Sequence, residues 1–175
     1  MIPPETVCFS GHRPEKLPRG NYLRIMQSLL FAEIKAVYQR GARRFITGMA
    51  QGVDLWAADC VMHLRYEDPT VCLICAEPYP THGDELRGDR RYHHRAVLQS
   101  ANQVVQVSDV YSPDCFRRRN DYMIGHSDCL IAMVSDMRSG TGQTIRMAQR
   151  RGLELHVITL ERALEYEARK NADFF

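Results

Sequence analysis

Short apolar runs of strand length alternate with helix-forming segments along the whole chain. The runs lie at residues 6–10, 43–47, 71–76, 103–107, 130–134 and 155–159. Within them apolar residues follow one another instead of alternating with polar ones, which is typical of strands buried on both faces of a parallel sheet. The pattern therefore predicts an α/β fold in which helices cover both faces of a parallel sheet.

The helices between these runs are indicated by apolar periodicity and by start and stop signals. Residues 21–40 carry an apolar stripe at three- and four-residue steps, and Gly41 follows as a stop. Further helices are expected from residue 53 to about 65, over 89–101, through 117–127, from the end of a loop at 135–142 to 151, and in a charged tail from about 161. Ser112-Pro113 is read as a helix entry. We expect one domain, residues 1–175.

Composition and the N-terminus limit the partners of the chain. A formal charge of +2 is too small to indicate nucleic-acid binding from net charge, so any basic site must be local. The apolar runs are too short to cross a membrane, and the first residues lack the basic and apolar regions of a signal peptide. We therefore expect a cytoplasmic protein with no membrane partner.

Four of the six cysteines lie in predicted buried strands and are expected to be reduced core thiols: Cys8, Cys72, Cys75 and Cys129. Cys72 and Cys75 have CxxC spacing, but an extended strand directs side chains three residues apart to opposite faces. His93 and His94 likewise point in different directions on a helix, which argues against a shared metal. The sequence thus predicts no metal site and no cofactor.

The loops after the predicted strands contain most of the glycine and polar residues with chemical potential. In open parallel sheets ligands bind beyond the carboxyl ends of the strands, near the reversal of strand order. Two of the loops are glycine turns that lead into helices, at residues 48–52 and 139–144. Such turns suit the binding of phosphate. The candidate ligand-binding residues are Ser10, Gly11, His12, Arg13, Gly48, Met49, Ala50, Gly52, Asp54, Glu77, Arg118, Arg119, Asn120, Ser139, Gly140, Thr141, Gly142 and Thr144.

Structural roles are the alternatives for these residues. Neither turn matches GxxxxGK[ST] or GxGxxG, which disfavours a P-loop nucleotidase and a dinucleotide site. The glycines could serve tight turns alone, Asp54 could cap its helix, and the arginines could be solvated. Trp56 is expected in the core, with base stacking as the alternative.

Three stretches of the chain resemble a known family. They are SGHRPEKL at residues 10–17, GMAQGVDLWAA at residues 48–58, and Arg118-Arg119-Asn120. Together they resemble the YpsA-like branch of the SLOG superfamily, which also contains the DNA-processing protein DprA and the LOG-type phosphoribohydrolases. The resemblance implies a Rossmann-like three-layer sandwich with a mostly parallel sheet, and a nucleotide or nucleotide-derived ligand across the loops after the strands.

The resemblance also bears on catalysis. LOG-type enzymes use the glutamate of a PGGxGTxxE motif, and the corresponding stretch here, residues 139–146, contains no glutamate. We therefore expect a sensor or regulator without turnover. The first alternative is an enzyme acting on a nucleotide N-glycosidic bond, with Asp54 or Glu77 replacing the glutamate. The second is single-stranded nucleic-acid binding as in DprA, through residues 90–95 and 117–119, which we do not favour. Relatives often associate through the helices flanking the sheet, so a homo-oligomer is a further expectation.

Overall fold

The computed structural model describes residues 4–173 and contains one sheet between two layers of helices. The strands are β1 (Thr6–Gly11), β2 (Arg44–Thr47), β3 (Cys72–Glu77), β4 (Gln103–Gln106), β5 (Cys129–Met133) and β6 (Glu154–Ile158). The α-helices are α1 (Asn21–Gln39), α2 (Val53–Glu67), α3 (Gly88–Ser100), α4 (Cys115–Gly125), α5 (Gly140–Arg150) and α6 (Leu160–Ala172), and a 3₁₀ turn spans Pro14–Lys16. The predicted three-layer α/β fold is confirmed.

The order of the strands places a crevice in the middle of the sheet. All neighbouring strands are parallel, in the order β4-β3-β2-β1-β5-β6. The chain moves outward from β1 to β4 and then returns to the other edge of β1 to form β5. The connections after β1 and β5 therefore leave the sheet toward opposite faces, which creates the crevice where such folds bind ligands.

Side chains alternate between the two faces of the sheet and so build two apolar cores. Val7, Phe9 and Phe45 are fully buried in the core beneath α1, α2, α3 and α6. Cys8 and Leu130 belong to the core beneath α4 and α5. Burying each such large apolar side chain stabilises the fold by about 1.5–3 kcal/mol.

The cysteines follow the same alternation. Cys75 lies in the first core, whereas Cys72 packs against the second, and all six cysteines are free thiols. The predicted opposite orientation of the CxxC pair is confirmed. Trp56 packs at the margin of the first core, as expected.

Two helix starts differ from the sequence prediction. Ser112-Pro113 does not open α4; Asp114 is its N-cap residue, and the Ser112 hydroxyl donates to the Asp114 carboxylate at 2.7 Å. In α5 the helix begins at Gly140, earlier than predicted, because the Ser139 hydroxyl accepts a hydrogen bond from the Gly142 amide at 3.2 Å. None of the helices within residues 4–173 combines the length and apolar character needed to cross a membrane.

Candidate functional site

A cavity of about 280 Å³ lies at the carboxyl ends of the central strands. Its walls come from the connections after β1, β2, β3 and β5 and from the first half of α4. The lining residues are Ser10, Gly11, Arg13, Met49, Ala50, Gln51, Asp54, His82, Gly83, Glu85, Leu86, Phe116, Arg119, Asn120, Gly140, Thr141 and Thr144. The cavity thus occupies the crevice that the strand order predicts.

The turn between β2 and α2 forms one wall and depends on its two glycines. A Cβ atom on Gly48 would lie 2.8 Å from both the Arg119 side chain and the Asp54 carboxylate. Gly52 has φ +94°, a conformation that L side chains rarely adopt, and its Cβ would lie 2.7 Å from the His12 carbonyl oxygen. Gly52 is the N-cap residue of α2, so no side chain accepts a hydrogen bond from the first amides of this helix.

Asp54 lies in the first turn of α2 and is almost fully buried. Its carboxylate accepts a hydrogen bond from the Ala50 amide at 3.3 Å, which pins the turn. Burial raises the pKa of Asp54 to about 6, even though the positive charge of Arg119 lowers it. The alternative that Asp54 caps its helix is wrong, since Gly52 occupies the capping position.

Arg119 is the buried cation of the cavity, with 7% of its surface exposed. It donates to the Gly48 carbonyl oxygen and, through Nε, to the Asn120 side-chain oxygen at 2.9 Å. Its other terminal nitrogen, Nη2, makes no hydrogen bond to any residue between 4 and 173. Burial lowers the pKa of Arg119 and the Asp54 and Glu77 carboxylates oppose that shift, but an arginine remains charged. A charged donor is therefore available to a ligand.

The second glycine turn, before α5, is tied to the rest of the cavity by side-chain hydrogen bonds. Asn120 donates to the Thr144 hydroxyl at 3.0 Å. His12 Nε2 accepts from the Asp136 amide at 3.2 Å, so Nδ1 carries the proton and donates to the Thr141 hydroxyl at 3.3 Å. Burial lowers the pKa of His12, which keeps the ring neutral. The two halves of the cavity are thereby held in fixed positions.

Most of the sequence-predicted site residues come together in this cavity, but seven do not line it. Five of the seven belong to the same loops as the lining residues but do not reach the cavity surface: His12, Gly48, Gly52, Ser139 and Gly142. Arg118 is exposed on the outer side of α4 and pairs with Asp114 at 2.9 Å. Glu77 faces His82 and His94 instead of the cavity.

Six lining residues were absent from the predicted set: Gln51, His82, Gly83, Glu85, Leu86 and Phe116. Four of them belong to the long connection between β3 and α3. Their only sequence signal is that this connection also follows a strand. Gln51 is notable because its Nε2 atom is buried without a hydrogen-bond partner among the described residues.

Fold and site together define a Rossmann-like protein with a polar crevice at the reversal of strand order. The family model YpsA, described as the YspA SLOG family, matches residues 7–162, and the chain belongs to this family. The predicted family resemblance is confirmed.

Relatives and a solved structure agree with this assignment. The uncharacterized SPbeta prophage-derived protein YoqJ of Bacillus subtilis (strain 168) is 26% identical over 73% of this chain and 82% of its own length. A UPF0398 protein of Bacillus thuringiensis (strain Al Hakam) is 25% identical over 86% of this chain and 85% of its own. DNA processing protein A from Helicobacter pylori, solved to explain its single-stranded DNA binding, has a TM-score of 0.58 and 21% identity, covering 93% of this chain and 72% of that chain. The last similarity concerns the fold.

Proposed function

We propose that the cavity binds a nucleotide or nucleotide-derived ligand by its phosphate groups, and that the protein acts as a sensor or regulator. The observation that carries the proposal is the placement of Arg119. Its buried guanidinium lies in a cavity that also contains the uncapped start of α2 and the hydroxyls of Thr141 and Thr144. Buried arginine, helix N-termini and hydroxyl groups are the donors that phosphate oxygens prefer.

Two further lining residues suit the rest of such a ligand. The Phe116 ring lines the cavity and offers an apolar face to a base. Arg13 is exposed at the cavity and makes no side-chain hydrogen bond to any residue from 4 to 173, so it is free to contact a second phosphate.

Calorimetric titration with AMP, cyclic AMP and ADP-ribose tests the proposal, with Arg119→Met and Arg118→Met as a matched pair. A hydrogen bond to a charged group contributes about 1.5–3 kcal/mol, so Arg119→Met should weaken binding by about 10- to 100-fold. Arg118→Met should bind like the parent protein, because Arg118 faces solvent and pairs with Asp114. Circular dichroism checks that both variants fold. Absence of binding for every ligand in the panel would refute the proposal.

We expect binding without cleavage of the N-glycosidic bond. The Glu77 carboxylate pairs with His82 and His94, and the Asp54 carboxylate accepts a hydrogen bond from the Ala50 amide, so neither carboxylate is free to act on a substrate. Asp54 nevertheless has the raised pKa that general acid–base residues often show, so it is the carboxylate to test. Incubation with nucleoside monophosphates followed by chromatography should detect no free base. Base release that is lost in Asp54→Asn would establish the enzymatic alternative.

Single-stranded nucleic-acid binding is the second candidate function. One surface favours it: Arg95 is exposed on α3 one turn after Tyr92, whose side chain is 78% exposed, and Arg90 is exposed in the first turn of the same helix. Exposed arginines next to an aromatic ring suit a phosphate backbone and a stacked base. Fluorescence anisotropy with a labelled oligonucleotide should then show affinity that falls with salt and with Arg90→Ala/Arg95→Ala, but not with Arg119→Met. No binding at low salt would exclude this function.

A further inference from the structure

A carboxylate and two imidazoles converge at the connection between β3 and α3, and of the three residues only His82 also lines the first cavity. Glu77 ends β3, His82 lies in the connection, and His94 is on α3. The Glu77 carboxylate lies 3.2 Å from His82 Nδ1 and 3.3 Å from His94 Nε2. One ligand atom from each of the three residues lies within 4.8 Å of the other two. All three side chains are largely buried, with 7%, 13% and 5% of their surface exposed.

The hydrogen bonding within this cluster is incomplete. Glu77 Oε1 and His94 Nε2 are buried and have no hydrogen-bond partner among the described residues, although they face each other. A buried polar atom without a partner costs about 1–3 kcal/mol, and an ion bound between two such atoms removes that cost. Gly83 permits this arrangement: its φ is +92°, and a Cβ there would lie 2.7 Å from the His94 ring.

The geometry points to a binding site for a divalent transition-metal ion of the zinc class at Glu77, His82 and His94. Bonds of about 2.0–2.1 Å to imidazole nitrogen and carboxylate oxygen, at tetrahedral angles, separate neighbouring ligand atoms by about 3.3 Å. His82 Nδ1 lies 3.2 Å from Glu77 Oε2 and His94 Nε2 lies 3.3 Å from Glu77 Oε1, so each imidazole is at that spacing from one oxygen of the carboxylate. One ligand atom from each of the three residues lies within 4.8 Å of the others, which a small shift of the side chains closes onto one ion. Two imidazoles with one carboxylate suit zinc and its neighbours better than magnesium or calcium, which take oxygen ligands.

The site leaves a coordination position open. A second cavity of about 200 Å³ is lined by all three ligand residues together with Pro80, Asp84 and Gln106. Three protein ligands plus a water or a ligand in the fourth position is the arrangement of an open zinc site. The inference does not depend on nucleotide binding in the first cavity.

The sequence gives no sign of this cluster, because its three residues are neither adjacent nor at a spacing typical of metal motifs. His93 and His94 indeed diverge: His93 bonds Asp59 at 2.9 Å, whereas His94 faces Glu77. The ligands instead come from a strand end, a loop and a helix, and only the fold brings them together.

Zinc titration of the metal-stripped full-length protein tests the site. We expect one Zn²⁺ per chain, and at least about 100-fold weaker binding in His94→Gln, His82→Gln and Glu77→Gln, since even outer-shell losses reach that range. His93→Gln is the matched control and should bind like the parent protein. His156→Gln controls for a second cluster among residues 4–173 that could hold a metal, Cys129, Glu154 and His156, and should also bind normally.

A second measurement does not depend on the variants folding. Co²⁺ bound to the parent protein should give the visible absorption of a tetrahedral nitrogen and oxygen site, and Zn²⁺ should abolish it by competition. Zinc should also raise the melting temperature of the parent protein. Absence of Zn²⁺ and Co²⁺ binding, parent-like affinity in His94→Gln, or loss of binding in His156→Gln would each overturn the assignment.

Discussion

Replacing Gly142 with alanine tests how tightly the turn before α5 is built. The added Cβ would lie 1.9 Å from the Met137 carbonyl oxygen, far inside the 3.4 Å at which ordinary contact begins. Because the obstacle is backbone, it cannot be relieved by rotating a side chain. The turn has to move, and that movement affects two hydrogen bonds. The Met137 carbonyl accepts one from Arg146 at 2.8 Å, and the Gly142 amide donates the other to the Ser139 hydroxyl at 3.2 Å.

The expected cost follows from these contacts. Overpacking a close contact costs about 1–3 kcal/mol, and weakening a helix cap costs about 1 kcal/mol. We therefore expect Gly142→Ala to lower the free energy of unfolding by about 3 kcal/mol. For a chain of this length 1 kcal/mol corresponds to about 2–4 °C, so the melting temperature should fall by about 6–12 °C.

Gly140→Ala is the matched control, two residues earlier in the same turn. No atom lies within 4 Å of a Cβ at Gly140, and alanine is favoured over glycine in a helix by about 0.5–1 kcal/mol. Its melting temperature should equal or slightly exceed that of the parent protein. Thermal melts followed by circular dichroism, with urea unfolding as a second measure, compare the two variants. A Gly142→Ala variant with the same melting temperature as Gly140→Ala would show that the contact with the Met137 carbonyl oxygen is not tight.

Three other predictions concern titratable groups. Asp54, with a pKa of about 6, becomes negatively charged between pH 5 and 7 and then repels a phosphate in the cavity. Affinity for ADP-ribose should fall by about tenfold over that range in the parent protein and stay constant in Asp54→Asn. The same pH dependence of affinity in both proteins would contradict this prediction. Hydrogen bonds to Glu33 and Glu154 raise the pKa of His156. The protonated ring therefore stabilises the fold fully below pH 6.5, and this contribution is lost as the pH rises through the raised pKa. Urea unfolding should show the free energy of unfolding falling by about 1–3 kcal/mol over that rise in the parent protein but not in His156→Gln. Burial raises the pKa of the Cys60 thiol to about 11. A thiol reagent at pH 7.5 should therefore modify Cys60 at least about 100-fold more slowly in the native protein than in the unfolded protein. Equal modification rates in the two states would show that Cys60 is not buried.

The sheet and the general place of the site could be predicted from the sequence because both depend on local patterns. Each strand is a continuous apolar run, and the position of a loop after a strand already places it at the ligand-binding edge. The connection between β3 and α3 could not be placed in the same way. It carries no periodic pattern, and its contribution to the cavity depends on how its turns pack against the rest of the fold.

Helical spacing distinguishes Arg118 from Arg119 on α4. Cys115, Arg119 and Met123 are spaced four residues apart and are all buried on one face of α4. Arg118 lies on another face and is exposed. Helical periodicity therefore indicates a buried role for Arg119 and not for Arg118, whereas the motif Arg118-Arg119-Asn120 by itself does not separate the two.

The position of β1 in the middle of the sheet has a consequence for synthesis on the ribosome. Its first partner, β2, follows within about forty residues, but its second partner, β5, begins only at Cys129. Asp128, which accepts hydrogen bonds from the Glu5 and Thr6 amides, is translated equally late. Until then a nascent chain exposes a bare central strand edge, a surface prone to pairing with other chains. A message truncated before codon 129 would thus yield an aggregation-prone sheet of β1 to β4 that lacks the cavity wall formed by Gly140, Thr141 and Thr144.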